Sequence, residues 1–160
     1  MMTCDVPVDT LIVGNVFSNL GVEVKQAGGV YSALSANHTI TGNMFFNMPR
    51  AGININDGAH GGHRVSNNLF FNLVRETSDH GALNSWDREP YIQSYQDGAR
   101  RPLLSHLHRN FLINTHFGIH SLDHDDGSNN FLDTENVVPT LDFIRHKIHQ
   151  FLLLLGVRIV

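Results

Sequence analysis

Apolar and polar positions alternate along this chain in a motif that returns four times. Each copy reads apolar-x-x-Asn, then three mostly apolar residues, then Asn. The copies are Ile12-Val13-Gly14-Asn15-Val16-Phe17-Ser18-Asn19, Ile40-Thr41-Gly42-Asn43-Met44-Phe45-Phe46-Asn47, Val65-Ser66-Asn67-Asn68-Leu69-Phe70-Phe71-Asn72 and Leu107-His108-Arg109-Asn110-Phe111-Leu112-Ile113-Asn114. The first Asn of each falls at 15, 43, 68 and 110, so the last step is the long one. A period in the twenties without helical spacing predicts stacked coils of β-strand. The longer step predicts an insertion over residues 92–105. Insertions in such arrays map to loops on one face. The Asn positions are expected at turns, where Asn tolerates a left-handed backbone. Their amides are expected to stack into ladders, and the Phe, Leu and Ile between them to point inward.

Other short runs read as strands. Val22-Glu23-Val24 alternates, and so does Gly52-Ile53-Asn54-Ile55-Asn56, which ends in the turn signal Asp57-Gly58. Val30 to Ser35 follows the turn at Gly28-Gly29, and a partial coil is expected over residues 130–138. Beyond Pro139 the spacing turns helical at Phe143, Ile144, Ile148, Phe151, Leu152 and Leu155. Residues 139–160 therefore read as an apolar tail, either a capping helix or sequence foreign to the natural protein. The run from Phe151 to Leu155 is far shorter than the roughly 20 residues of a membrane span.

Composition narrows the partners. The 160 residues carry 16% charged side chains and a net charge of −4, with no basic run. That gives no electrostatic reason to expect nucleic acid. One cysteine, Cys4, excludes an internal disulfide and a Cys-based zinc site. Residues 1–9 hold two acids and no base, so no signal peptide is visible. The first coil follows with no cap before it, which reads as a piece of a longer solenoid or an incomplete gene model.

The chemistry-bearing residues gather after the second Asn of each copy. Asp57 lies 10 residues after Asn47, Asp79 and His80 lie 7 and 8 after Asn72, and Asp123 lies 9 after Asn114. Similar offsets predict one face, with neighbours about 4.8 Å apart. His60, His63, Asn84, Trp86, Asp87, Arg88, His124, Asp125 and Asp126 lie around them. Three readings compete. Paired carboxylates, drawn from Asp79, Asp123, Asp87 and Asp125, suit glycosidic cleavage. Crowding of Asp123, Asp125 and Asp126 would raise one proton affinity, as a general acid requires. Trp86 would stack on a sugar, while Arg88, His80 and Asn84 would bind and position it. Elimination on a uronate polymer would use Arg88 or a cation. Asp123-His124-Asp125-Asp126-Gly127 has the oxygen density for Ca²⁺ but not the EF-hand spacing. His116, His120 and His124, spaced by four, with His60 and His63, form the third reading, a transition-metal site. No cofactor is required by the first. Asp57 and Asp126 sit beside glycines and read as turn residues. Asn84-Ser85-Trp86-Asp87-Arg88 reads as a functional loop.

The coil pattern over residues 10–138 resembles the right-handed parallel β-helix proteins of the pectin-lyase-like superfamily. The stretches Asn43 to Asn72, Thr77 to Tyr91 and Leu122 to Ser128 carry the likeness. The resemblance implies an all-β, right-handed parallel β-helix (β-solenoid) of about five coils. It implies an extracellular protein acting on a polysaccharide or other glycan, through acids on one sheet face. Hydrolysis by Asp79 and Asp123, with Asp87 or Asp125 as substitutes, is preferred. The alternatives are a lyase with a cation and a non-catalytic carbohydrate-binding or structural module.

Overall fold

A computed structural model describes residues 6–57, 60–87, 103–115 and 120–138. The expected insertion falls mostly outside these residues, and so do Arg88, His116 and the tail 139–160. The described residues form thirteen β-strands and no helix. No helix among them is long and apolar enough to cross a membrane.

The strands belong to three parallel sheets. The first runs β1 (Leu11–Val13), β4 (Thr39–Thr41), β7 (Arg64–Ser66), β10 (Ser105–His108), β13 (Phe131–Thr134). The second runs β2 (Val16–Ser18), β5 (Met44–Phe46), β8 (Leu69–Leu73), β11 (Phe111–Thr115). The third runs β3 (Val30–Ala33), β6 (Ile53–Asn56), β9 (Leu83–Trp86), β12 (Leu122–His124). Every pairing joins strands three apart in chain order, so each successive trio stacks on the one before. This all-β, parallel, in-register arrangement is consistent with the expected β-solenoid.

The repeat explains the register. Ile12, Ile40, Val65 and Leu107 share one rung position of the first sheet, and Phe17, Phe45, Phe70 and Leu112 share one of the second. Both rows face the interior, where Ile40, Phe45, Val65, Phe70, Leu107 and Leu112 are buried. Phe17, Phe45 and Phe70 stack nearly parallel, with ring centroids 4.7 and 5.0 Å apart. The 25- to 28-residue steps thus convert sequence identity directly into stacked contacts. Gly52 is required where this core meets the third sheet. A Cβ there would lie 2.8 Å from Phe45 Cβ and 3.0 Å from the Phe70 ring.

The turn between the first and second sheets carries the asparagine ladder. Asn43 Nδ2 donates to Asn68 Oδ1 at 3.0 Å, and Asn68 Nδ2 donates to Asn110 Oδ1 at 3.0 Å. The same amides donate back to carbonyls of the preceding coil, Ile12 and Ile40, at 2.9 Å each. Asn136 extends the ladder by accepting from Asn110 Nδ2 at 3.0 Å, a fifth member the motif search passes over. Two turns of the repeat hold left-handed residues. Asn19, Asn47 and Asn72, the second Asn of the first three copies, have positive φ as expected. At the ladder turn the left-handed residue precedes the Asn instead: Gly14, Gly42, Asn67, Arg109 and Glu135. The ladder Asn is kept for its amide and not for its backbone.

Two expectations fail. The segment at Val22 to Val24 forms bends and a turn, and both valines are exposed. Alternation there has no neighbouring strand to bury it. Asn84, Ser85 and Trp86 are strand and not loop, because β9 pairs with β6 on one side and β12 on the other.

The corner between the third and first sheets is polar inside. His38, His63 and Ser105 share a rung position. The His38 amide donates to His63 Nδ1 at 3.3 Å, and the His63 amide donates to Ser105 Oγ at 3.2 Å. Burial, reinforced by neighbouring His38, pushes the His63 imidazole down to about 4. In the unfolded chain it titrates near 6.5, so the unfolded state takes up a proton first as pH falls. Stability is therefore full above pH 6.5 and is lost progressively toward pH 4. The gap corresponds to about 3 kcal/mol from this group. Urea unfolding of the native protein and of His63→Gln between pH 7 and pH 4 checks this. The native protein is expected to lose stability more steeply than the variant. Parallel pH profiles would exclude His63 as the source.

Candidate functional site

The outward face of the third sheet gathers most of the candidate residues. Strand alternation sends Val30, Ile53, Leu83 and Leu122 inward against the core. Their neighbours Tyr31, Asn54, Asn84 and Asp123, in register with one another, therefore point outward. Asn84 Nδ2 donates to Asn54 Oδ1 at 3.0 Å, Asn54 Nδ2 donates to Asn56 Oδ1, and Asn56 Nδ2 donates to the Tyr31 hydroxyl at 2.9 Å. Asn54 and Asn84 are only 1% exposed although they leave the core. Asn84 Oδ1 is buried with no hydrogen-bond partner. An unmade bond of this kind is costly unless something else completes it.

Asp123 sits at the end of this row. Gly81 lies against it, and a Cβ at Gly81 would come within 2.8 Å of Asp123 Cβ and 2.9 Å of its amide nitrogen. Glycine is what lets the two chains approach. Burial pushes the Asp123 carboxyl above the ordinary carboxylate range. Asp125 pushes the same way, while His120, His80 and His124 pull it back. Asp125 follows on the same side, its amide bonded to the Ser85 carbonyl at 2.9 Å. Two residues along an extended chain put their side chains about 6.6 Å apart.

His80 closes one flank. Its Nε2 lies 3.0 Å from Asp79 Oδ1, and its Nδ1 is buried without a partner. Burial and the nearby Arg50 lower its proton affinity, against Asp79, Asp123 and Asp125. Burial lowers the proton affinity of the Arg50 guanidinium, and the negative charge of Asp79, Tyr31 and Asp125 opposes that shift. Sequence reading passed over Arg50, Tyr31, Asn54 and Asn56. The alternation of Asn54 and Asn56 within a strand was the available signal, since outward Asn on a sheet face has no core role.

The equal offsets do not translate into equal positions. Asp123 lies within β12, level with Asn84. Asp79 and His80 precede β9, and Asp57 follows β6. The reason is loop length: the second and third strands of successive trios are joined by segments of different length. Asp79 is largely exposed, with 82% of its side-chain surface open. Asp87 is buried, its amide bonded to the Asp126 carbonyl at 3.2 Å. Trp86 lies in β9 opposite Asn56 and is partly buried. His63 points into the interior and away from this face, as its 1% exposure shows. Among the described residues no three or more His, Cys, Asp or Glu side chains are arranged to hold a metal ion.

The fold and this face define an all-β protein of stacked parallel strands with an acid- and amide-lined sheet surface. Comparison of the chain with protein-family models, with curated proteins and with solved structures finds no match.

Proposed function

We propose that the outward face of the third sheet binds and hydrolyses a polysaccharide, with Asp123 as general acid and Asp125 as its partner carboxylate. The observation that carries this reading is the partly buried Asp123, proton-retaining, beside Asp125 and level with the unsatisfied Asn84 amide. Inversion needs carboxyls roughly 6.5–9.5 Å apart and retention roughly 5–5.5 Å, so the stereochemistry of the product reports which applies. Asp79, largely exposed, and His80 beside it meet the sugar. Burial favours the protonated form of the Asp123 carboxyl, as a general acid requires. Asp79 is the substitute for Asp125. The chain winds right-handed, as crossovers between parallel strands nearly always do, and belongs with the pectin-lyase-like β-helices. A glycan substrate places it outside the cell.

A second reading is a glycan-binding module without catalysis. Tyr31, 61% exposed at the end of the Asn row, offers a ring for a sugar to stack on. Mass spectrometry of products from neutral and uronate-rich polysaccharides separates the two. Hydrolysis yields fragments that have gained water. Asp123→Asn and Asp125→Asn are each expected to slow it by about 10²-fold or more. Unsaturated fragments would replace hydrolysis with elimination. Binding without products would leave the module reading. Full activity in both variants would remove these carboxylates from the mechanism.

A further inference from the structure

At the last described coil an open edge carries a hydrogen-bonded series that the glycan reading does not use. Ser85 Oγ lies 2.8 Å from His124 Nδ1, and His124 Nε2 lies 2.7 Å from Asp133 Oδ2. The three come from β9, β12 and β13. Ser85 and His124 are adjacent in register on the inward row of the third sheet. Asp133 takes the rung position that Ile12, Ile40, Val65 and Leu107 hold in the coils before it. Asp133 is exposed at this edge of the stack, and its carboxylate bonds His124. Asp133 is an acceptor, so the Nε2 of His124 carries the proton. Its Nδ1 is then the free base facing the Ser85 hydroxyl, which can turn between His124 at 2.8 Å and Ser128 Oγ at 3.0 Å. The His124 ring packs on Phe131, with centroids 4.5 Å apart, which fixes its orientation.

A second feature meets the same serine. A small cavity of about 10 Å³, room for one water-sized group, is lined by Ser85, His63, Ser105 and Asn129 among others. His63 Nδ1 accepts from the His38 amide, so its Nε2 carries hydrogen. That Nε2 is buried and has no hydrogen-bond partner. The cavity wall therefore joins a hydroxyl paired with a base to a donor that lacks an acceptor. These are the nucleophile and the oxyanion-donor roles of acyl transfer. Asp87 also lines the cavity and opposes negative charge there, which leaves the His63 side for the oxygen.

We propose that Ser85, His124 and Asp133 form a second, esterolytic centre for esters of very small acids such as acetate. Ser85 Oγ attacks the ester carbonyl carbon and its proton passes to His124 Nδ1. The carbonyl oxygen takes the electron pair and accepts from His63 Nε2–H. Collapse breaks the bond to the alcohol oxygen, which leaves with the proton from His124. Water, deprotonated by His124, then cleaves the acyl-serine to the acid and restores Ser85. Asp133 is a positioning residue, holding the tautomer and the imidazolium. Access runs past His124 and Asp133, whose side chains keep 27% and 34% of their surface open. The water-sized cavity takes the carbonyl oxygen, and the near-complete burial of Ser85 limits the acyl group to the smallest. This centre does not rest on the glycan reading.

The test is 4-nitrophenyl acetate against 4-nitrophenyl hexanoate, with the native protein. The expected result is a burst of nitrophenol from the acetate only. Acid-quenched peptide mapping is expected to find the acetyl group on Ser85. Ser85→Ala abolishes burst and label, Asp133→Asn slows the burst about 10²-fold or more, and Asp133→Glu recovers part of it. No release above buffer, label on another residue, or a burst kept by folded Ser85→Ala would overturn the proposal. Should Ser85→Ala fail to fold, the native mapping and the Asp133 pair decide the matter alone.

Discussion

Replacing Asn68 with alanine is expected to remove about 2 to 6 kcal/mol of stability. Its Oδ1 accepts from the Asn43 amide at 2.9 Å and from Asn43 Nδ2 at 3.0 Å. Its Nδ2 donates to the Ile40 carbonyl at 2.9 Å and to Asn110 Oδ1 at 3.0 Å. Asn43 Nδ2 keeps the Ile12 and Thr41 carbonyls and Asn110 Oδ1 keeps the Asn68 amide, so alanine strips its bond from the Asn43 amide and the Ile40 carbonyl, at about 1 to 3 kcal/mol each before relaxation. A small domain has only about 5 to 15 kcal/mol in total. Asn15→Ala is the matched control, because Asn15 is exposed at the ladder's end and water can replace its bonds. It is expected to cost less than about 1 kcal/mol. Urea unfolding of the three proteins gives the comparison. Equal losses at positions 15 and 68 would mean that the ladder amides do not act through burial.

Phe70→Ala is the second large effect, about 3 to 5 kcal/mol. The ring is fully buried, stacked on Phe45 and in register with Leu112. Truncation opens a cavity between two coils, and parallel strands above and below cannot both close on it without breaking register. Phe17→Ala, at the half-buried end of the stack, is expected to cost clearly less. Phe70→Leu is expected to cost less than alanine, since the next rung already holds leucine. Thermal unfolding of the set checks the order. A Phe70→Ala loss below that of Phe17→Ala would contradict the stacked core.

The repeat was legible because each coil solves the same local problem. The first sheet needs one inward aliphatic, the turn needs a left-handed residue and an amide, and the second sheet needs an inward ring. A step of 25, 28 or even 42 residues leaves those demands unchanged, so Asn15, Asn43, Asn68 and Asn110 could be aligned by eye. The left-handed position was misplaced by one residue at the ladder turn, since Gly14 and Gly42 satisfy backbone and Asn43 satisfies hydrogen bonding. Asn136 was missed because Asp133 stands where the motif calls for an apolar residue.

The candidate sites were less legible, for a geometric reason. Asp79 and Asp123 were matched by counting from the second Asn. β6, β9 and β12 begin 6, 11 and 8 residues after the second Asn of their copies, so the count does not preserve register. The chain by itself determined the parallel stacking, the buried Asn and Phe rows and the list of acids and histidines that could act. Those follow from side-chain period and turn chemistry, which are local. Only the tertiary structure decided that Asp123 meets Asn84 and Gly81, that the charges of Asp79 and Asp125 reach Arg50, and that Ser85, His124 and Asp133 join. These contacts bridge residues far apart in the chain, 39 positions for His124 and Ser85. They depend on how loops of unequal length set one rung above another.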